Sequence, residues 1–270
     1  MKMHFKIYIY LFATILLFAS CDKVITLPIE NNDSQVVIEG NITDKLGPYF
    51  VKLSRSINLN ASNLYPVIEN GIVIISDNTG IKDTLKHLNK GVYFTRLTRG
   101  VNGRTYFLEV IIDGKKYTAQ STMPYKVNLD SLRINTFPIN SENQYSVIPV
   151  YTDPIDLGNS YRFIQKINDT LDNNYNIFND NLNNGKINQR PLNGGNQDIN
   201  IKLFDRVSVE MQCISKSAHL FFYTLSQQDG AGPGGGTAPT NPPNNIVGGA
   251  LGLFSAHTSQ TKEIQVPIFF

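Results

Sequence analysis

Residues 103–122 read Gly-Arg-Thr-Tyr106-Phe-Leu108-Glu-Val110-Ile-Ile112-Asp113-Gly114-Lys-Lys-Tyr117-Thr-Ala119-Gln-Ser-Thr122, and their pattern decides the fold. Tyr106, Leu108 and Val110 fall at every second position, the period of a strand with one buried face. Asp113-Gly114 interrupts the apolar run, and both residues tolerate the positive φ that a type I′ hairpin turn demands. Residues 105–122 are therefore expected to hold two antiparallel strands.

Upstream, Val36–Thr43, Tyr49–Ile57, Gly71–Ser76 and Val92–Leu97 carry the same alternating or continuous apolar character, rich in β-branched and aromatic residues. Turn signals separate them: Gly47-Pro48, Asn70-Gly71, Asn78-Thr-Gly80, Asn89-Lys-Gly91 and Asn102-Gly103. Roughly seven strands at this spacing predict a β-sandwich over residues 36–124. A Tyr opening a late strand and sharing a face with two apolar residues resembles the tyrosine corner of immunoglobulin-like sandwiches, which makes Tyr106 a core residue rather than a ligand-stacking one.

Pro124 marks the expected boundary, and a second β-rich domain is expected over residues 125–270. It opens at Val127 and continues through Ser146–Tyr151, Ser160–Ile167 and Asp205–Ile214. Lys216–Gln228 is its one helix, because Ala218, Phe221, Phe222 and Leu225 recur at spacings of three and four. Two long loops are expected, the Asn-rich stretch 172–195 and the Gly/Pro-rich stretch 229–245, before strands return from Val247 to Phe270.

At the other end, Lys2 and Lys6 precede an apolar run from Ile7 to Phe18, then Ala19, Ser20 and Cys21. About twelve apolar residues at about 1.5 Å each span roughly 18 Å, too short for a hydrocarbon core of about 30 Å, so residues 1–20 read as a removable signal. The order of charge, apolar run, small residues and cysteine resembles a lipoprotein signal, with Cys21 acylated and residues 21–35 a polar tether. Phe18 stands where Leu or Val is commoner, and a plain secretory signal cut after Ala19 or Ser20 is the alternative. Acylation by two or three chains gives an anchor that one chain alone does not.

The chain has 24 Lys and Arg against 22 Asp and Glu, and loss of Lys2 and Lys6 balances them at 22 each. Balanced charge argues against a nucleic-acid partner, which needs a clustered basic excess. With Cys21 consumed by lipid, Cys213 has no partner for a disulfide. Cys213 alternates with Val207, Val209 and Met211, which predicts a buried structural thiol rather than a nucleophile.

Three passages together resemble the Bacteroidota lipoprotein family known as domain of unknown function 4249. They are Cys21-Asp-Lys-Val-Ile with Val36-Val-Ile-Glu-Gly40-Asn-Ile-Thr-Asp44 and Gly47-Pro48-Tyr49-Phe-Val-Lys52-Leu53-Ser54; Gly91-Val-Tyr93, Gly103-Arg-Thr-Tyr106 and Ala119-Gln-Ser-Thr-Met-Pro124; and Asn241-Pro-Pro-Asn244-Asn-Ile246-Val-Gly248-Gly-Ala-Leu251-Gly252-Leu-Phe254-Ser-Ala256. The last is the most specific, since its prolines, asparagines and glycines at fixed offsets specify a backbone shape. The resemblance implies an outer-membrane lipoprotein, often encoded beside TonB-dependent transporters, with no catalytic residues to carry over. Its anchored face, periplasmic or cell-surface, is left open.

No catalytic motif stands out. His87, His219 and His257 lie in separate segments without zinc-ligand spacing. Asp172-Asn-Asn-Tyr-Asn-Ile177 starts like a calcium loop but has Ile177 where glycine is required. Gly230-Ala-Gly-Pro-Gly-Gly-Gly236 lacks the Lys-Ser/Thr of a phosphate cradle. Asp83-Thr84-Leu85, Asp130-Ser131-Leu132 and Asp169-Thr170-Leu171 resemble O-glycan acceptor motifs of Bacteroidota envelope proteins, naming Thr84, Ser131 and Thr170. The expectation is a non-enzymatic binding module, with no cofactor or metal, touching the bilayer through Cys21 and a TonB-dependent transporter through its loops. A structural or adhesive envelope protein is the alternative, and a hydrolase with a loop-built histidine site ranks third.

Overall fold

The computed structural model describes residues 34–57, 64–139, 142–181, 184–192, 200–229 and 241–267. In chain order their elements are β1 (Val36–Thr43), β2 (Phe50–Arg55), β3 (Ile72–Asp77), β4 (Lys82–Thr84), β5 (Lys86–Asn89), β6 (Val92–Phe94), β7 (Thr105–Ile112), β8 (Lys115–Thr122), β9 (Ser131–Ile139), β10 (Glu142–Val150), β11 (Ser160–Ile167), β12 (Thr170–Leu171), β13 (Asn176–Asn179), β14 (Arg206–Cys213), α1 (Lys216–Asp229), β15 (Ile246–Val247), β16 (Leu251–His257) and β17 (Gln260–Gln265).

Two five-stranded sheets, ordered β16-β1-β2-β6-β5 and β15-β8-β7-β3-β4, form the sandwich. Alternation selects its core: Ile38 and Ile42 of β1, Leu53 of β2, Val73 and Ile75 of β3, and Tyr106, Leu108 and Val110 of β7 are all buried. The β7–β8 turn takes the expected form, with φ of 49° at Asp113 and 78° at Gly114 and Ile112 opposite Lys115. Tyr106 makes the corner that its position predicts: its hydroxyl donates to Arg99 O at 2.7 Å and accepts from Val101 N–H at 2.8 Å. The chain is mainly β, with an immunoglobulin-like sandwich.

The division at Pro124 needs correction at the C-terminal end. Strands β15 and β16 lie inside the stretch expected to belong to the second domain, yet β15 pairs with β8 and β16 runs parallel to β1 from Val37–Leu251 to Thr43–His257. Phe254 and Ala256 are fully buried in the first core. The reason is topological: a parallel neighbour requires a crossover, and here the connection carries the chain through β9–β14 and α1 before β16, after which β17 rejoins the second sheet beside β14. Asn245 fastens the return. Its Nδ2 donates to Gln120 O at 3.0 Å and Phe254 O at 2.7 Å, while its Oδ1 accepts from Phe254 N–H at 3.0 Å.

The second region pairs β9 with β10 in a long hairpin, and orders β12-β11-β14-β17 in a sheet in which β13 also pairs with β11. Val207, Val209, Met211 and Cys213 of β14 are buried together, as their alternation predicts, with Tyr161 and Phe163 of β11 against them. The stretch 172–195 is not wholly loop, because β13 lies within it; of 229–245, residues 230–240 fall outside the described residues. Helix α1 forms where the three-and-four spacing places it. Ala218 is fully buried, and Phe221 and Phe222 pack with Ile214 and Leu253. Ser215 caps its first turn, its Oγ accepting from Ala218 N–H at 3.3 Å.

Candidate functional site

The strands that fill the core inward also build an outer face. In β3, β7 and β8 the positions between the buried ones point away from the sandwich, and register aligns them in rows. Lys82, Ser76, Phe107 and Gln120 form one row; Thr84, Ile74, Glu109, Thr118 and Val247 form the next. A polar outer row is expected on a solvated sheet, but this one carries Ile74, Phe107 at 41% exposure and Val247 at 70%. Asn245 and the first turn of α1, through Ser217, close one side. The result is an open groove of about 630 Å³, in the size range of small-ligand sites.

Its electrostatics are paired rather than one-signed. Lys116 Nζ lies 2.6 Å from Glu109 Oε2, and that hydrogen bond holds the Glu109 carboxyl below its ordinary value. Lys82 adds to the same field. Apolar side chains flanked by hydroxyls, amides and a neutralised ion pair suit an uncharged, amphipathic ligand edge. No motif announced these residues. The signal that could have found them is apolar outward positions at Ile72, Ile74 and Phe107, where strict in–out alternation calls for polar ones.

The histidines are not brought together. His87 packs against Tyr93 in a tilted arrangement with ring centroids 5.0 Å apart, and lies 3.8 Å from Glu69. His219 stacks on Tyr223 at 5.9 Å, and burial lowers its pKa. His257 Nδ1 is 3.1 Å from Ser255 Oγ, which is hydroxyl–imidazole geometry, but the two residues are only 6% and 3% exposed. Burial pushes the His257 pKa down to about 4. A nucleophile needs room beside it for the reacting atom, and this pair sits where β16 leads into β17. There Ser259 N–H donates to Asp44 Oδ1 and Ser259 Oγ to Glu210 Oε1, both at 2.8 Å. The cluster joins the sandwich to the second sheet.

Cys213 is buried, its thiol pushed up by desolvation, with Val127 N–H donating to Sγ at 3.4 Å. Thr84, Ser131 and Thr170 are all exposed, at β4, the start of β9 and the start of β12. Their neighbours differ. Asp83 and Leu85 are buried, and Asp83 Oδ2 accepts from the N–H groups of Arg96, Leu97 and Thr98; Leu132 is buried, whereas Asp169 and Leu171 are exposed. Cys21 lies outside the described residues. Asp172, which opened the calcium-like stretch, is buried and accepts from Gln165 Nε2 and Asn174 N–H. Among the described residues no group of three or more His, Cys, Asp or Glu side chains is placed to hold a metal, and no helix is long and apolar enough to cross a membrane.

A family model described as Domain of unknown function (DUF4249) matches residues 22–263. No curated protein matches the chain.

Proposed function

The chain belongs to the DUF4249 family, and from that premise we propose that it is a lipid-anchored, non-enzymatic binding module of the outer membrane that serves a TonB-dependent transporter. The observation that carries the binding reading is the groove on the outer face of β3, β7, β8 and β15. It is open, of ligand size, and lined by Phe107 and Val247 beside a neutralised Glu109–Lys116 pair. Anchoring is supported by the order of Lys2, Lys6, the apolar run and Cys21. An anchored module needs no membrane-seeking surface, because acyl chains supply the affinity. The exposure of all three residues of Asp169-Thr170-Leu171, at the turn into β12, makes Thr170 the favoured glycan acceptor of the three.

The test is an affinity pull-down of the tagged full chain from native-host membranes in mild detergent, wild type beside F107D and V247D. The expected result is co-purification of a TonB-dependent transporter with wild type, reduced about tenfold or more by the groove variants, as loss of a buried aromatic contact would give. Wild type that retains no transporter refutes the proposal. A deletion strain with altered adhesion or surface assembly but normal nutrient uptake would favour a structural role instead.

A further inference from the structure

Between β6 and β7 the chain makes a loop, residues 95–104, whose backbone is fixed from inside by buried side chains. Asp83 of β4 is fully buried, and its Oδ2 accepts from the N–H groups of Arg96 at 2.8 Å, Leu97 at 2.7 Å and Thr98 at 3.0 Å, and from the Thr98 hydroxyl at 3.1 Å. Tyr49 holds the loop at two further points. Thr95 N–H donates to its carbonyl at 3.0 Å and Gly100 N–H to its hydroxyl at 2.9 Å, while that hydroxyl donates to Lys45 O at 2.6 Å. Gly100 lies against the end of β1, where an added Cβ would come within 1.7 Å of Thr43 O. The loop is therefore ordered before any ligand arrives.

What it presents to solvent is cationic. Arg96 and Arg99 are exposed and line one hollow of about 360 Å³ together with Gly47, Pro48 and Phe94. Among the described residues neither guanidinium has an ion pair or a hydrogen-bond acceptor, whereas Arg104 of the same loop is paired with Asp77 at 2.7 Å. Asp83 does not serve them. Desolvation would raise its pKa, but its hydrogen bonds outweigh that and hold it below the ordinary value, so its charge is met by the loop's own N–H groups. Exposed Lys45, joined to Gly100 through the Tyr49 hydroxyl, adds a third unpaired cation at this end of the sandwich.

We propose that this hollow binds a phosphate monoester, with the Arg96 and Arg99 guanidiniums holding the phosphate and Phe94 and Pro48 forming the apolar wall for its organic group. A guanidinium presents a planar fork that matches two oxygens, so a carboxylate is filled by one arginine, whereas a phosphate dianion has three free oxygens and charge enough for two. Because the loop is fixed, binding has to order little beyond the two side chains. The hollow shares no residue with the groove on β3, β7 and β8, and its reading does not rest on a transporter partner. Two sources offer this chemistry, a free ester and a lipid headgroup, and the same arginines would meet either.

The full chain in neutral detergent micelles, at about pH 7.5 where the ester is mostly a dianion, is titrated with phenyl phosphate and, separately, with phosphatidic acid dissolved in the same micelles. Both are followed by ³¹P NMR, and benzoate, followed by calorimetry, is the carboxylate control. Saturable phenyl phosphate binding is expected, at least about tenfold tighter than benzoate, because the second arginine adds its fork only to the phosphate. R96A/R99A should lose binding while unfolding at the wild-type urea midpoint, since both side chains are exposed. R96K/R99K keeps the charge without the fork and should bind about tenfold more weakly. A response to phenyl phosphate supports the site with a free ester as its source, and a response to phosphatidic acid alone supports it with a lipid headgroup. No saturable response to either probe overturns the proposal, as does binding that R96A/R99A retains, binding undiminished in R96K/R99K, or benzoate bound as tightly as phenyl phosphate.

Discussion

Gly252 offers the most direct test of the returning strand. It sits on β16 opposite Ile38 of β1, with φ at +111°, and a Cβ added there would lie 2.0 Å from Ile38 O and 2.8 Å from its carbonyl carbon. That is about 1 Å inside hard-sphere contact, so G252A must push β16 away from β1 or twist the backbone. The conformational strain contributes about 1–3 kcal/mol, and loss of two ladder hydrogen bonds adds about 1 kcal/mol each, for a total near 4 kcal/mol. For a chain of this size that lowers Tm by roughly 8–16 °C. Gly249 is the matched control, because it has φ of +82° but nothing within 4 Å of an added Cβ; G249A should cost about 1 kcal/mol from strain alone. Urea unfolding followed by circular dichroism measures both. If G252A falls within about 1 kcal/mol of G249A, β16 contributes little to the sandwich and residues 36–124 fold without it.

Three further outcomes follow from named contacts. His257 is neutral in the fold with its pKa near 4 against 6.5 in the unfolded chain, opposed by Glu210 and Asp44 and helped by Arg162. Its stability contribution is therefore complete above pH 6.5 and is lost as pH falls toward 4, by roughly 3 kcal/mol in total; urea midpoints should decline over that window in wild type and flatten in H257Q, and equal slopes would remove the assignment. Y106F deletes the hydroxyl that bridges Arg99 O and Val101 N–H, and should cost about 2 kcal/mol in equilibrium unfolding. On material from the native host, intact-mass measurement should show a glycan that T170A removes, and an unmodified wild type would end the glycan proposal.

Much of the first sandwich was legible because its signals are local. The alternation of Tyr106, Leu108 and Val110 and the Asp113–Gly114 turn each depend on a few neighbouring residues and each has its counterpart in the fold, as does, outside the sandwich, the three-and-four spacing of Ala218, Phe221 and Phe222 in α1. Partner choice is different. Nothing in Leu251–His257 names β1, because an apolar strand fits any edge whose far face is dry, and the two are separated by about two hundred residues. Strand β13 was hidden for a related reason: Asn176 and Asn179 have low β-propensity, yet Phe178 is buried and packs 5.1 Å from Phe163, so tertiary packing overrides composition. The prolines, asparagines and glycines of Asn241–Ala256 specify a backbone shape. The asparagines prove to be fasteners, with Asn244 Oδ1 accepting from Ile246 N–H and Asn245 joining β8 to β16. The groove is hard to read because its residues are scattered from Ile74 to Val247 and meet only across registers.

The same fasteners tie the groove to the fold. One wall is β15, which pairs with β8 beside Asn245, and the Asn245 side chain joins β8 to β16, so that wall of the groove comes with the returned C-terminal segment. A ligand that touches Asn245 and Val247 as well as β7 gains contacts from the docked segment and stabilises it, which couples groove occupancy to the β1–β16 ladder. Strand β1 is not an edge: β2 pairs with it on one side and β16 on the other. G252A loosens the β1–β16 ladder at Ile38, so it should weaken ligand binding in the groove as well as lower Tm.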